Sequence, residues 1–318
     1  MGKILDSIAP VIQKARHVRI NDDNLRVFCD RFTGLQTSFV APTKGADLSP
    51  EDKLQLDFAY NATNFCYWGH PHAQWFIEYQ GREVHGAYGM KAAFNRALES
   101  GMPLLDSSFL ENLKEEDLAR IVDGGGHLLL FNERLKFLRQ FGRVLNSKYE
   151  GKATNVVEAA QGDAIRLVDE ITSNFPCYND SVDYDGSRVL FHKRAQLVAH
   201  NVHTLLQKQG KGLARTDELT ALADYKVPQI LRNVGILEYA PTLAANIDSM
   251  IPLPTGSPEE VEIRAFTLEA CERMAQNLKP KHPSLEVIDL DHWLYHKSKE
   301  PGIMQNSKPY HRTLTTAY

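Results

Sequence analysis

Residues 219–239 read LTALADYKVPQILRNVGILEY, and their pattern sets how the rest of the chain is read. Leu219, Leu222 and Ala223 recur at helical spacing, Asp224 and Tyr225 interrupt the run, and Pro228 restarts a helix in its first turn, where no backbone donor is lost. A carboxylate is therefore expected in a short joint between two helices. Gly235 reads as the left-handed cap of the second helix, and Pro241 opens a third. A helix dipole favours an anion ahead of its N-terminus, and an ionised carboxylate is what a sugar ring developing positive charge requires.

Outward from this stretch most of the pattern is helical. Ile4, Ile8 and Ile12, then Leu25, Phe28 and Phe32, recur every three or four residues. After a loop with Pro42 and Gly45, Ser49-Pro50-Glu51-Asp52 reads as a capped helix start, and Leu54, Phe58 and Ala62 continue it. The helix delivers the chain to NATNFCYWGHPH, residues 61–72. There Phe65, Tyr67 and Trp68 either fill the core or, with Asn64, form a shelf on which a planar base stacks. His70 and His72 flank Pro71, which suits a loop better than a metal site.

Two hairpins are expected, one turning at Gln80-Gly81 and one at Asp185-Gly186. The run Gly124-Gly125-Gly126 lacks the Lys and Ser/Thr of a phosphate loop and reads as a flexible connector between helices. At Lys193-Arg194 a basic pair opens a helix, where cations are unfavourable unless an anion joins them. A solvated helix end and an anion-binding role both fit. Ser257, Pro258 and Glu260 specify the start of a further helix with Ile263, Phe266, Ala270 and Met274 on its buried stripe. On it Arg264 can pair with Glu260 one turn back. The tail, with Asp289, Asp291, His292 and His296 around Trp293, is rich enough in aromatics to pack onto the body.

The 318 residues, 43% hydrophobic and 24% charged, suit a globular protein with one domain over residues 1–318 or two closely packed lobes. A net charge of -4 and a pI near 6.3 argue against long nucleic acid as ligand, while a small anion remains admissible. Cys29, Cys66, Cys177 and Cys271 are far apart and read as free thiols, and no metal or cofactor is expected. Asp6 and Pro10 cut the apolar start, so no export signal is read, and Asp6 stands where a myristoylation signal prefers Ser or Thr. No membrane partner is expected, and the expected compartment is the cytoplasm or the nucleus.

Several ordered motifs, NFCYW (64–68), FHKRAQ (191–196), LADYKVPQIL (222–231), EVEIRA (260–265) and the closing LDHWLY and PYHR segments, resemble the queuosine salvage proteins. That family consists of queuosine 5'-phosphate N-glycosylases, which release the 7-deazaguanine base queuine for reinsertion into tRNA. The resemblance implies a mainly α fold with small β-hairpin elements, glycosylase-like and related to the helix-hairpin-helix DNA glycosylases. It makes Asp224 the catalytic carboxylate and Lys193 the active-site lysine. Substrate contacts are expected from Tyr225, Ala223, Asp291, His296, Asn64, Trp68, Arg194 and Arg264, with Lys193, Arg194, Arg264 or Arg312 on the 5'-phosphate. The implied partners are the nucleotide, queuine and, functionally, a tRNA-guanine transglycosylase. Two other readings stay open: a base glycosylase acting on DNA or RNA, and a noncatalytic queuine carrier for a tRNA-modifying partner.

Overall fold

In the computed structural model, residues 2–42, 47–69 and 73–318 are described, so Gly45, His70 and His72 lie outside the described residues. Ser257 accepts the Glu260 N–H at 3.3 Å, Pro258 takes the first helical position, and the helix Pro258–Leu278 follows. Its buried stripe includes Ile263, Phe266, Ala270 and Met274, as the spacing predicts. Around it pack the helices Asp22–Arg31, Lys226–Asn233 and Val287–Lys297, enclosing one hydrophobic cluster. A larger cluster is enclosed by the helices Pro50–Ala62, Gly86–Glu99, Phe131–Lys148, Ala164–Asn174 and Lys193–Gln207. Its centre is aromatic: Phe58 and Phe141 lie 6.5 Å apart, Phe141 and Phe175 5.6 Å. Burying each such ring stabilises the fold by about 1.5–3 kcal/mol. Ser49 caps the helix Pro50–Ala62 as read from the sequence, accepting the Asp52 N–H at 3.1 Å.

Strands are short and paired. Phe76–Tyr79 pairs antiparallel with Arg82–His85, and Ser181–Tyr184 with Ser187–Leu190. Both hairpins turn through two residues with positive φ, Gln80-Gly81 and Asp185-Gly186, the combination that matches strand twist. A third pair, Val18–Ile20 with Leu237–Tyr239, joins distant parts of the chain and is not signalled by local pattern. No helix of the described residues is long and apolar enough to cross a membrane.

Two expectations are corrected. Residues 219–225 contain no α-helix, so Asp224 stands between an irregular segment and the helix Lys226–Asn233 instead of between two helices. Gly235 does have a left-handed φ of 74° just after that helix, and Pro241 opens the helix Pro241–Asp248. The glycine run is also no loose connector. Phe76 and Gly125 exchange backbone hydrogen bonds of 3.0 and 3.1 Å, and a Cβ on Gly124, Gly125 or Gly126 would collide with Phe76 or Gln74. The tail packs inward: the Cys66 N–H donates to the Tyr318 carbonyl at 2.7 Å, and the Tyr318 hydroxyl to Glu260 at 2.9 Å.

Candidate active site

The segment leading to Asp224 is held by long-range hydrogen bonds instead of by its own turns. Thr220 N–H donates to the Gln196 side chain at 2.8 Å, and Leu222 N–H to Asp291 at 2.9 Å. The Ala223 carbonyl accepts from Arg264 at 3.2 Å. Asp224 then turns its Oδ1 onto the N–H groups of Lys226 (2.6 Å) and Val227 (3.1 Å), satisfying donors that a helix start leaves unpaired. With one oxygen committed to the helix, the other is left for the cavity that the residue lines.

That cavity, about 600 Å³, lies between the two larger hydrophobic clusters. Lys193, Asp224 and Asp291 share it. Burial and then the Asp224 charge push the Asp291 carboxyl well above the usual range, against the Leu222 N–H and Lys193. Burial lowers the Lys193 pKa, while Asp224 and Asp291 oppose that shift. Asp224, Asp291 and Lys193 thus share one buried site, in which burial and the neighbouring carboxylate favour the protonated form of Asp291. A protonated carboxyl can donate a hydrogen bond as well as accept one.

The remaining wall is aromatic and basic. Tyr60, Tyr67, Tyr295 and Tyr310 line it, and the Tyr225 ring lies 4.8 Å from that of Tyr310. His296 sits 3.2 Å from the Tyr88 hydroxyl and stacks on Phe39 at 4.9 Å. Lys226 places its ammonium 4.4 Å from the Tyr310 ring centroid, and Lys299 lines the same cavity. Burial and the neighbouring Lys299 charge bring the Lys226 pKa down to about 7, with Asp224 opposing.

Of the residues expected at the site, Asp224, Lys193, Tyr225, Asp291, His296 and Asn64 meet in this cavity. Ala223, Trp68, Arg194 and Arg264 do not line it. The Ala223 side chain packs in the core with Val261 and Ala265, and the Trp68 indole N–H donates to the Thr313 carbonyl at 2.8 Å. Arg194 is buried against the end of the helix Pro50–Ala62, donating to the carbonyls of Asn61 (3.0 Å), Ala62 (2.9 Å) and Cys177. A guanidinium there satisfies carbonyls that the helix leaves over and complements the negative end of its dipole. Arg264 grips Asp180 with both terminal nitrogens, at 2.9 and 2.7 Å, and lies 3.7 Å from Glu260. The Asp180 carboxylate also accepts the Lys193 N–H at 3.1 Å, so the anion at this basic helix start comes from the protein itself. Arg312 lies over Trp68 and Tyr310, 5.8 and 5.9 Å from their centroids, and is not among the lining residues.

Lys226, Lys299 and Tyr295 were missed from the sequence. The four-residue spacing of Asp291 and Tyr295, which puts both on one face of the helix Val287–Lys297, was the available signal for Tyr295, while Lys299 lies in the turn beyond that helix.

A family model described as queuosine salvage protein matches residues 46–318. The chain belongs to this family. A queuosine 5'-phosphate N-glycosylase/hydrolase of Sphaerobacter thermophilus is 36% identical over 99% of this chain and 97% of its own length. The proteins of that name from Dictyostelium discoideum and Mus musculus are 30% and 29% identical. Those matches cover 99% and 86% of this chain, and 98% and 84% of the relatives. The queuosine salvage motifs fall on the cavity lining at Asn64, Lys193, Asp224, Tyr225 and Asp291, and on its supports at Arg194 and Arg264.

Proposed function

We infer that this queuosine salvage protein hydrolyses the N-glycosidic bond of queuosine 5'-phosphate, giving queuine and ribose 5-phosphate. The observation that carries the reading is the meeting of Asp224, Asp291 and Lys193 in one aromatic cavity. Asp224, anchored through Oδ1, places its second oxygen beneath C1' and stabilises the ribose as it becomes cationic, or traps it. Asp291 carries the proton that the departing base needs or shares in a hydrogen bond, and Lys193 sets the charge balance between the two carboxyls. Tyr225 and Tyr295 cover the base, with His296 and Asn64 at its edges. Arg194 and Arg264 hold the scaffold, and Lys226 and Lys299 take the 5'-phosphate. Water supplies the hydroxyl that completes ribose 5-phosphate. The helical scaffold is read as a single domain over residues 1–318, related to the helix-hairpin-helix DNA glycosylases. The released queuine passes to a tRNA-guanine transglycosylase in the cytoplasm or nucleus.

Chromatography of products from synthetic queuosine 5'-phosphate tests the reading. Queuine and ribose 5-phosphate are expected in equal amounts, and a carrier would bind without releasing either.

The assignment of Lys226 carries a pH signature. Its charge is present below its pKa of about 7 and fades above it. The KM for the nucleotide should therefore rise several-fold between pH 7 and pH 9, while the dissociation constant of free queuine does not follow. In Lys226→Arg, charged throughout that range, the rise should flatten. Parallel pH curves for nucleotide and base would remove Lys226 from the phosphate.

A further inference from the structure

The chemistry proposed above leaves one cavity carboxylate unused. Asp57, on the helix Pro50–Ala62, lines the same cavity, and both its oxygens face the Asn201 side-chain amide, at 3.0 and 3.2 Å. Lys91, solvent-exposed, acts on it through space, and among the described residues no ion pair reaches this carboxylate. Burial is opposed only by Lys91 and by side-chain amides, so the Asp57 carboxyl is pushed up to about 6. A half-buried carboxylate held by amide donors, with no ion pair among the described residues, is an arrangement that a bound cation completes.

Its place in the cavity says which part of a ligand would do so. Lys193, Leu197 and Asn201 follow one another along a single helix face and all line the cavity. Eight residues of helix span about 12 Å. At one end Lys193 senses Asp224 and Asp291, and at the other Asn201 holds Asp57. Tyr295, which senses Asp224 and Asp291, and Tyr60, which senses Tyr295 and Asp57, fill the interval. A purine-like bicycle is shorter than that span, so a base that lies from Asp224 along this face toward Asp57 needs an arm to reach it. The end is not blind either: a further cavity of about 290 Å³ is also lined by Asp57, Tyr60, Lys91 and Asn201.

We propose that Asp57 and Asn201 form the subsite that reads the side arm of the base, pairing with its secondary ammonium and hydrogen-bonding its ring hydroxyls, and so select queuine over 7-deazaguanines that lack the arm. This rests on the hydrolase reading for the direction in which the base lies. Calorimetry with queuine and with 7-deazaguanine, on the wild type and on Asp57→Asn, tests it. A charge-assisted contact in a half-buried site leads us to expect a loss of about tenfold or more for queuine and a much smaller one for 7-deazaguanine. In turnover, the KM for queuosine 5'-phosphate should rise with kcat little changed. Equal losses for the two bases, or no loss for queuine, would overturn the subsite. Asn201→Ala should shift the same ratio in the same direction, which keeps the test available if Asp57→Asn folds poorly. If the bases are discriminated as expected but no queuosine 5'-phosphate is cleaved, the hydrolase reading falls and the subsite stands.

Discussion

Asp224→Asn should bind queuosine 5'-phosphate nearly as well as the wild type and turn it over at least about a hundredfold more slowly. The two parts of that expectation come from the two oxygens. Oδ1 accepts the N–H groups of Lys226 and Val227, and an asparagine oxygen can accept both, so the joint and the helix behind it persist. What the amide cannot supply is negative charge beside C1'. Loss of a preorganised charge-stabilising group costs about 2.7–4 kcal/mol of transition-state stabilisation, and this carboxylate stands in a cavity whose low polarity strengthens its field. Single-turnover kinetics with a parallel binding titration would separate the effects. A variant that cleaves at near wild-type rate would take Asp224 out of the mechanism.

The second large effect is on stability. Arg264 and Asp180 are both buried, with side chains 3% and 2% exposed, and each satisfies the other twice. Removing one member leaves an uncompensated buried charge, so Arg264→Met should destabilise the protein by about 3–5 kcal/mol. The urea midpoint would report it, and a midpoint close to that of the wild type would refute it. Burial pushes the Asp180 carboxyl up, but the Arg264 charge and hydrogen bonds, with the Lys193 N–H, outweigh it and hold the group below the usual carboxylate range. The sign follows from that depression. The pair's contribution is present above the unfolded carboxylate value near pH 4 and is lost as the pH falls through the lower folded value. Because Arg264 also holds the Ala223 carbonyl, its loss should loosen the seat of Asp224 as well.

Residues governed by local chemistry were legible in the sequence. The caps at Ser49 and Ser257 need only a hydroxyl three residues before an N–H, and the hairpins only two residues that tolerate positive φ. Asp224 at a helix start was legible for the same reason. Its preceding segment was not. Leu219, Leu222 and Ala223 have the spacing of a helix, yet the backbone groups of Thr220, Leu222 and Ala223 are claimed by partners 24, 69 and 41 residues away on Gln196, Asp291 and Arg264. The basic residues divided along the same line. Arg194 and Arg264 look like phosphate ligands until carbonyls 133 and 132 residues away and a carboxylate 84 residues away take them, while Lys226 carries no local mark of facing a cavity.

The cavity draws its walls from Asp57, Lys193, Asp224, Asp291 and Tyr318, spread over most of the chain. Contacts of such long sequence separation form late, after the local helices. A chain still emerging from the ribosome can therefore hold most of its helices while the cavity is not yet assembled. A chain lacking the last residues would lose Tyr318 from the cavity wall, and with it the hydroxyl that donates to Glu260.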